Sequence, residues 1–447
     1  MNISVIGTGY VGLVSGVCLA EKGHNVVCVD IDSDKVDKIN SGIPPIHEKH
    51  LDQLLKKQID RKFTATTNLE KAIFDTDLSI IAVGTPFDGD EIDLSFIKKV
   101  SEQIGQVLSK KDSYHVVVVK STVVPGTTDD VVLPLLEKYS GKTAGSDFGV
   151  GMNPEFLREG EAIEDFMSPD RIVLGGIDDR TLDTMQNMYD VFPDVDKLTC
   201  NNRTAEMIKY TANSLLATLI SFSNEIGNLC SSIDNVDVLD VMKGVHLDKR
   251  FSPILENGER IRPGMISYLA AGCGFGGSCF PKDVKALVAH GKKAGQSMQL
   301  LDSVIKINEK QPEQVISILQ RHFPDLNGKK ITVLGLAFKP GTDDMRESAS
   351  IPIINHLVKQ NASVAAYDPV AVDEAKKIFG NGSVHYFEKL DEAVSGADAV
   401  ILLTGWDEFR TVDELISKQI NVPLFIDGRR MLSKKKFKKY DGIGLSV

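Results

Sequence analysis

The sequence predicts an α/β protein with two doubly wound domains joined by a long central helix and a helical middle region. Three observations predict it. Short β-branched apolar runs alternate with helical segments at the start of the chain, a segment of helical spacing follows at 203–233, and the alternation restarts near residue 328. At roughly 150 residues per domain, 447 residues correspond to two to four domains. We predict boundaries at 1–200, 201–320 and 321–447.

The first domain contains the clearest strand signals. The predicted strands are NISVIG, NVVCVDID, LSIIAVGTP, YHVVVVKSTVVPGT, FGVGMNPE and RIVLGG, and GLVSGVCLAEKG is predicted as a helix. Continuous β-branched runs separated by helices are typical of a parallel sheet that is covered on both faces. This domain therefore has the pattern of a Rossmann-like fold.

The middle of the chain is predicted to be helical. Residues 203–233 contain no proline and one glycine, and their apolar positions recur at helical spacing. We expect one long helix, buried between domains or subunits, with further helices at 236–243, 282–294 and 297–320. The last domain then repeats the α/β pattern with strands KKITVLGLAF, ASVAAYDP, ADAVILLTG and VPLFIDG, and helix SIPIINHLVKQN.

Composition and charge exclude several classes of protein. The net charge of −11 argues against broad binding to nucleic acids or anionic membranes, which requires basic surfaces. No stretch reaches the ~18 apolar residues of a membrane span, and the apolar N-terminus lacks the basic flank of a signal peptide. The six cysteines form no CxxC pair, so we expect reduced thiols and a cytoplasmic location. Cys273 and Cys279 are too few to form a metal site.

The segment VIGTGYVG predicts a dinucleotide site. It places Gly7, Gly9 and Gly12 in GxGxxG spacing between a strand and a helix, and the next strand ends in Asp30. The glycines allow a tight turn, close approach of a diphosphate and packing of helix on strand. A carboxylate at Asp30 suits the ribose hydroxyls of NAD and repels the 2′-phosphate of NADP. The alternative is a glycine turn with an incidental aspartate.

The segment GCGFGGSCFPKD, residues 272–283, contains a candidate nucleophile. Glycines precede Cys279, and a helix is predicted to begin near Lys282. A helix N-terminus and a lysine both favour the thiolate form of a nearby cysteine. Asp283 is close enough in sequence to orient a water molecule or accept a proton. The segment alone leaves open that Cys279 is a buried structural cysteine.

Seven motifs together resemble one family. In chain order these are GTGYVGL, VGTP, KSTVVPGT, NPEFLREG with PDRIVLGG, TAEMIKYTANS, GFGGSCFPKD and GLAFKPGTDDMRES. The chain is similar to the UDP-glucose/GDP-mannose dehydrogenase family over nearly its whole length. The resemblance implies oxidation of a sugar CH2OH group to a carboxylate by two NAD molecules in turn, with Cys279 forming a thioester. UDP-glucose is the expected substrate and UDP-glucuronate the product; GDP-mannose and N-acetylated UDP-hexosamines are the alternatives.

The resemblance also implies roles for individual residues. Lys209 and Asn213, which share a helix face, would stabilise the oxyanions of both tetrahedral intermediates. Thr122 and Asp283 resemble the pair that holds a catalytic water, and Glu155 resembles the carboxylate assigned to thioester hydrolysis. The division of the base role between Glu155 and Asp283 stays open, because base catalysis depends on distances that a sequence does not contain.

The binding residues follow from the same resemblance. The expected cofactor contacts are Gly7, Gly9, Tyr10, Val11, Gly12, Asp30, Lys35, Thr85, Thr122, Glu159, Lys282 and Arg346. The expected substrate contacts are Glu155, Phe156, Leu157, Arg158, Glu159, Lys209, Asn213, Arg250, Tyr268, Leu269, Ala270, Ala271, Gly272, Gly276, Phe338 and Lys339. Arg250 resembles an arginine that reaches the sugar of a partner subunit, so a homodimer or larger homo-oligomer is expected.

One departure and two rival functions accompany this assignment. The segment 251–267 makes the spacing between Arg250 and Cys279 longer than is usual in the family, and we predict a surface loop or flap there. A single-step hydroxyacid dehydrogenase would need neither Cys279 nor a second α/β domain. A non-catalytic nucleotide-sugar binding protein would be expected to lack Cys279, Lys209 or Asp283, and all three are present.

Overall fold

The computed structural model describes residues 1–446 and divides into two compact units, Met1–Ala212 and a second that begins at Asn213. The boundary between the units falls inside one long helix. The first unit contains eight strands: β1 Asn2–Ile6, β2 Asn25–Val29, β3 Phe63–Thr66, β4 Leu78–Ile81, β5 His115–Val119, β6 Phe148–Met152, β7 Ile172–Gly176 and β8 Lys197–Cys200.

Helices connect these strands. They are α1 Tyr10–Glu21, α2 Ser33–Asn40, α3 Leu51–Gln58, α4 Leu69–Phe74, α5 Ser95–Leu108, α6 Leu133–Ser140, α7 Ala162–Met167 and α8 Asp179–Met188, with a π-helical turn at Thr128–Val132. The long helix α9 spans Asn202–Cys230, close to the predicted 203–233.

The strands of the first unit form one sheet in the order β3-β2-β1-β4-β5-β6-β7-β8. The order reverses direction along the chain between β1 and β4, where Ile3 of β1 is opposite Leu78 of β4. Such a switch point is where doubly wound sheets bind ligands, at the carboxyl ends of the strands. All neighbouring strands are parallel except β6 and β7, so the prediction of a wholly parallel sheet is wrong at this one pair.

The predicted cover on both faces of this sheet is present. Along β5, Val116 and Val118 belong to one apolar cluster, whereas Val117 and Val119 belong to another, and all four are fully buried. Side chains of successive strand residues point to opposite faces, so a strand that is apolar at every position lies between two layers.

The second unit repeats this architecture. Its strands are β9 Lys330–Leu334, β10 Ser363–Tyr367, β11 Val384–Tyr386, β12 Ala399–Leu402, β13 Leu424–Asp427 and β14 Tyr440–Gly442, in the order β11-β10-β9-β12-β13-β14 with every pair parallel. Its helices are α10 Val238–His246, α11 Phe280–Lys293, α12 Gln299–His322, α13 Ser350–Lys359, α14 Val372–Phe379, α15 Leu390–Val394 and α16 Val412–Ser417, with 3-10 turns at Gly264–Tyr268, Asp407–Thr411 and Lys434–Lys436.

The predicted fold class is confirmed. The strands at the edges of the two sheets are the main elements that the prediction omitted. The edge strands β3, β8, β11 and β14 were not predicted, because they have only three or four residues and carry few β-branched apolar side chains. The division into three domains and the oligomeric state stay predictions. Along α9 the side chains of Met207, Leu215, Phe222 and Leu229 are exposed in the single chain.

The segment 251–267 is a loop, as predicted. An isolated antiparallel bridge joins Ile254 to Arg260, and the Arg260 guanidinium donates to the carbonyls of Leu247 at 2.8 Å and Ser252 at 2.9 Å. Across residues 1–446, no helix is long and apolar enough to cross a membrane. The same residues contain no group of three or more His, Cys, Asp or Glu side chains that could hold a metal ion.

Candidate active site

The predicted dinucleotide turn lies between β1 and α1, at the switch point of the first sheet. Gly7 has a φ of +101°, and a Cβ there would lie 2.6 Å from the carbonyl oxygen of Ala82. A Cβ on Gly12 would lie 1.9 Å from the carbonyl oxygen of Gly7, so the turn and the helix pack too closely for any side chain. Around Gly9, in contrast, a Cβ would meet open space.

The start of α1 fits a diphosphate. Gly9 occupies its N-cap position, and no side chain caps the helix. A helix N-terminus with open space beside it offers N–H groups and a positive dipole end to an anion. The residues of this turn therefore fit the diphosphate of NAD.

Asp30, at the carboxyl end of β2, is fixed beside the same turn. Its carboxylate accepts hydrogen bonds from the Thr8 backbone N–H at 3.0 Å, the Thr8 hydroxyl at 2.5 Å and the Asp32 backbone N–H at 3.1 Å. Burial raises the pKa of Asp30, but these hydrogen bonds and the charge of Lys35 outweigh burial and hold the pKa below its usual value. The ionised carboxylate fits the ribose hydroxyls of NAD.

Two predicted cofactor residues meet at the ends of the neighbouring strands. The Thr85 hydroxyl, after β4, donates to the backbone carbonyl of Thr122, after β5, at 2.8 Å. The Ser121 hydroxyl donates to the Val83 carbonyl at 2.7 Å. The VGTP and KSTVVPGT motifs are therefore hydrogen-bonded to each other at the carboxyl ends of β4 and β5.

Glu155 and Lys209 form a buried ion pair in the first unit. Their charged atoms are 2.8 Å apart, and the two side chains are 5% and 4% exposed. Glu155 also accepts a hydrogen bond from the Leu157 backbone N–H at 2.7 Å. Burial raises the pKa of Glu155, but the charge and hydrogen bond of Lys209 outweigh it, so the pKa lies below its usual value. The structure thus brings together two residues that the sequence places far apart.

The segment from Glu155 to Glu159 leads away from this pair. The Phe156 ring lies under two cations: the Arg171 guanidinium at 3.9 Å and the Lys209 ammonium at 5.5 Å from its centroid. Arg158 is exposed and forms an ion pair with Asp165 at 2.6 Å, so its guanidinium is turned toward α7. Leu157 is half-buried, whereas Glu159 is buried.

Cys279 occupies the N-cap position of α11 in the second unit. It is half-buried, and the Asp283 backbone N–H donates to its carbonyl oxygen at 2.8 Å, which closes the first helical turn. The Ser278 hydroxyl lies 3.5 Å from the Cys279 sulfur. The helix begins at Phe280, two residues before the predicted start. A thiol at this end of a helix is favoured in its thiolate form.

Asp283, one turn into α11, is held by two donors. The Asn213 side-chain amide donates to one carboxylate oxygen at 2.6 Å, and the Lys282 ammonium donates to the other at 2.6 Å. Asp283 is 1% exposed. Asn213, Lys282 and Asp283 were predicted for different roles, and the structure connects them in one chain of hydrogen bonds.

The glycine loop before Cys279 packs against the predicted nucleotide contacts. Gly277 has a φ of +83°, and a Cβ there would lie 2.6 Å from the Phe338 ring. The Gly277 N–H donates to the Arg346 carbonyl at 2.7 Å, and a Cβ on Gly276 would lie 2.3 Å from the Glu347 carbonyl oxygen. Only glycine fits at either position. The Lys339 ammonium lies 5.8 Å from the centroid of the Phe338 ring.

The remaining predicted substrate residues lie in the loop that leads to the glycines. Gly272 is held through its N–H by the Asn224 side chain and through its carbonyl by the Gln311 side chain, both at 2.8 Å. The intervening residues are a half-buried Tyr268, buried Leu269 and Ala271, and exposed Ala270. Arg250 is 85% exposed and forms an ion pair with Asp248 at 2.5 Å, and its role stays a prediction.

Comparison with known proteins shows the family to which the chain belongs. The NAD binding domain of the UDP-glucose/GDP-mannose dehydrogenase family matches residues 1–193, its central domain residues 203–310 and its UDP binding domain residues 332–434. The chain is also 40% identical to a UDP-glucose 6-dehydrogenase of Haloferax volcanii over 450 residues, 99% of this chain and 100% of that protein. The chain belongs to the UDP-glucose/GDP-mannose dehydrogenase family.

Two further members of the UDP-glucose/GDP-mannose dehydrogenase family are similar to this chain over nearly its whole length. A UDP-glucose 6-dehydrogenase of Bacillus subtilis is 41% identical over 96% of this chain and 93% of its own length. The structure of a UDP-glucose dehydrogenase from Pyrobaculum islandicum superposes with a TM-score of 0.90 at 36% identity, over 99% of this chain and 98% of that one. The protein is therefore an NAD-dependent nucleotide-sugar dehydrogenase. The predicted family, enzyme class and cofactor are confirmed.

Sequence reasoning missed a buried lysine in this dehydrogenase. Lys120, at the end of β5, donates to the Asn153 side-chain oxygen at 2.9 Å, and Tyr189 donates to the same oxygen at 2.6 Å. Burial lowers the pKa of Lys120 to about 8; the charge of Glu155 opposes this effect and that of Lys209 adds to it. Lys120 is the first residue of the KSTVVPGT motif, and that position is the only signal that could have indicated it.

Sequence reasoning also missed a buried glutamate. Glu206, one turn before Lys209 on α9, accepts hydrogen bonds from the N–H of Gly126 at 2.6 Å, the N–H of Thr128 at 2.8 Å and the Thr128 hydroxyl at 2.7 Å. Burial raises the pKa of Glu206 to about 7, although the hydrogen bonds from Thr128 and Gly126 lower it. Through these hydrogen bonds, Glu206 connects the segment after Thr122 to helix α9, which also carries Lys209.

Arg429, after β13, was also missed. Its guanidinium donates to the carbonyls of Leu403 at 2.6 Å, Gly274 at 2.9 Å and Phe338 at 3.4 Å. One side chain therefore joins the glycine loop to the strand ends of the second sheet. An arginine directly after a buried strand, in the segment FIDGRR, was the available signal.

Proposed function

We propose that the protein oxidises UDP-glucose to UDP-glucuronate in two NAD-dependent steps, through an aldehyde and a thioester on Cys279. The observation that carries this proposal is the position of Cys279 at the N-cap of α11, one turn from an Asp283 carboxylate held by Asn213 and Lys282. An oxidation that stops at the aldehyde needs no nucleophile, whereas an oxidation to the acid gains one through a covalent intermediate.

Bound NAD supplies the hydride acceptor for each of the two oxidations. In the first, the CH2OH group gives up a hydride and its hydroxyl proton and becomes an aldehyde. The Cys279 thiolate then adds to the aldehyde carbon, and the carbonyl oxygen becomes the oxyanion of a thiohemiacetal. Loss of a second hydride from that carbon gives the thioester. Water adds to the thioester, the C–S bond breaks, and the thiolate is released together with the carboxylate.

The oxyanions of these steps require cationic or hydrogen-bonding partners. We assign this stabilisation to the ammonium of Lys209 and the side-chain amide of Asn213, which follow one another by one turn on α9. Both groups have carboxylate partners in the structure, Glu155 and Asp283, so they are held in place before substrate binds. Preorganised donors of this kind contribute the most to electrostatic catalysis because they need no reorientation during the reaction.

Proton transfer requires a carboxylate near each reacting centre. We assign Asp283 to the water that attacks the thioester, because a backbone hydrogen bond within one helical turn connects it to Cys279. We assign Glu155, whose pKa is held below its usual value by Lys209, to the proton that leaves the sugar hydroxyl. The family resemblance assigns Thr122, together with Asp283, to holding the catalytic water.

The choice of sugar rests on the relatives. Eight relatives of the chain are named UDP-glucose 6-dehydrogenases, at 36–41% identity. A UDP-D-ManNAc dehydrogenase of Pyrococcus horikoshii shares the fold at a TM-score of 0.84 but is only 28% identical. The N-acetylated sugars are therefore the second candidate, with the same chemistry.

Initial rates with competing nucleotide sugars test this choice. We expect kcat/KM for UDP-glucose to exceed that for GDP-mannose and for UDP-N-acetylmannosamine by about 100-fold or more, because a site that fits one sugar leaves polar groups unpaired with another. Rates would be measured as NADH absorbance at equal, subsaturating sugar concentrations. A higher kcat/KM for either rival sugar would overturn the proposed substrate and leave the proposed chemistry intact.

A further inference from the structure

Glu48 is a buried carboxylate that none of the predicted roles uses. It lies in the segment between α2 and α3 and is 6% exposed. One oxygen accepts hydrogen bonds from the Gly160 N–H at 2.7 Å and from the Tyr10 hydroxyl, and the other accepts from the Ala162 N–H at 3.0 Å. The Gly160 N–H also lies 2.9 Å from the Tyr10 hydroxyl.

The two sides of this contact belong to different parts of the candidate site. Tyr10 is the first residue of α1 and directly follows Gly9 of the dinucleotide turn. Gly160 directly follows the segment from Glu155 to Glu159, and Ala162 lies two residues further on. All residues of that segment are expected to contact the sugar nucleotide, and its last residue, Glu159, is expected to contact the cofactor as well. A single carboxylate therefore binds the end of the cofactor turn and the end of the sugar segment at the same time.

The chemistry of the contact makes it a fixed link. All three partners are donors, which matches a carboxylate and would not match an amide or an alcohol at the same place. Burial, together with the hydrogen bond and charge of Glu48, raises the pKa of the Tyr10 hydroxyl, so it stays protonated and can donate. Charge-assisted hydrogen bonds from backbone and phenol are stronger than neutral ones. A displacement of α1 at Tyr10 would therefore act on Gly160 through Glu48 and through the direct contact of the Gly160 N–H with the Tyr10 hydroxyl.

We propose that Glu48 is a positioning residue that couples the cofactor turn to the sugar-binding segment, so that NAD(H) and the nucleotide sugar bind cooperatively. This inference rests on the proposed function. Cooperative binding requires that each ligand favours the same arrangement of the shared element, and Tyr10–Glu48–Gly160 is such an element. Coupling of this kind is reciprocal, so either ligand can be used to detect it.

Titration calorimetry with NADH and UDP-glucose, a pair that cannot react, tests the proposal. In the unaltered chain we expect saturating NADH to tighten UDP-glucose binding by about 5-fold or more. In Glu48→Gln and in Tyr10→Phe we expect this factor to fall toward one, with kcat lowered by roughly tenfold or more through misplaced reactants. Glu21→Gln is the matched control, because Glu21 lies at the other end of α1 and pairs with Lys57 at 2.5 Å; it should keep the full coupling factor.

In Tyr10→Phe, the Glu48 carboxylate can still accept hydrogen bonds from the N–H groups of Gly160 and Ala162. This variant therefore distinguishes an effect on ligand coupling from an effect on folding. Thermal denaturation would verify that each variant is folded before titration. An unchanged coupling factor in Tyr10→Phe, or no coupling in the unaltered chain, would overturn the inference alone. A failure of the unaltered chain to bind UDP-glucose at all would overturn the proposed function, and the inference with it.

Discussion

Replacing Cys279 with serine is expected to abolish conversion of UDP-glucose to the acid while leaving NAD binding intact. Without the thiolate, the aldehyde has no strong nucleophile, and neither the thiohemiacetal nor the thioester forms at a useful rate. Loss of an enzyme's nucleophile typically costs about 10⁴-fold or more in kcat. The measurement is UDP-glucuronate formed over time, with NAD affinity measured separately by calorimetry.

The control for this variant is Cys200→Ser. Both cysteines are half-buried, but Cys200 ends β8 in the first unit and has no assigned role. Burial raises the pKa of the Cys200 thiol, the opposite of what a nucleophile requires. Cys200→Ser is expected to retain normal turnover. Normal acid formation by Cys279→Ser would contradict the nucleophile assignment.

Replacing Lys209 with methionine is expected to have the second-largest effect. The change removes the proposed oxyanion partner, which typically costs about 10²- to 10³-fold in kcat. It also leaves the Glu155 carboxylate buried without its ion-pair partner, a change that typically costs about 3–5 kcal/mol of stability. Turnover and thermal unfolding would be measured on the same preparation.

The pH dependence distinguishes the role of Lys209 from a general loss of stability. With Lys209 present, the pKa of Glu155 is below its usual value, so this group stabilises the fold above its unfolded pKa and loses that contribution as pH falls through its folded pKa. Without Lys209, burial raises the pKa of Glu155. The acid limb of the pH–rate profile should therefore move to higher pH.

Lys111→Met is the control for burial of an ammonium group. Lys111 is buried like Lys209, but it donates to the backbone carbonyl of Ile73 at 2.8 Å and lies outside the candidate site. Its loss is expected to lower thermal stability without moving the acid limb of the profile. An acid limb that stays in place in Lys209→Met would contradict the assignment of Glu155 to proton transfer.

Local features of both the fold and the site were predictable because they depend on neighbouring residues. The strand β5 was predicted from four consecutive valines, and such a run can be buried only between two layers. The turn at Gly7, Gly9 and Gly12 was predicted from spacing, and the contact that excludes a side chain at Gly12 is local, because it is made with the carbonyl oxygen of Gly7. Cys279 was placed near a helix start for the same reason.

Features that depend on distant residues were not predictable. Glu48 contacts Ala162 across 114 residues, and Arg429 contacts Gly274 across 155 residues. No local pattern marks Glu48, and the position of Arg429 after a buried strand does not indicate its partners, because each side chain binds backbone groups that are distant in the sequence. The antiparallel pairing of β6 with β7 escaped prediction because a fully buried apolar strand reads the same in either direction.

The central claim is that one polypeptide carries out both oxidations through Cys279. The most direct test is the amount of NADH formed per UDP-glucose consumed when the sugar is limiting, NAD is in excess and the reaction runs to completion. We expect a ratio of two, with UDP-glucuronate as the product. A ratio of one, with an aldehyde as the product, would contradict the thioester mechanism.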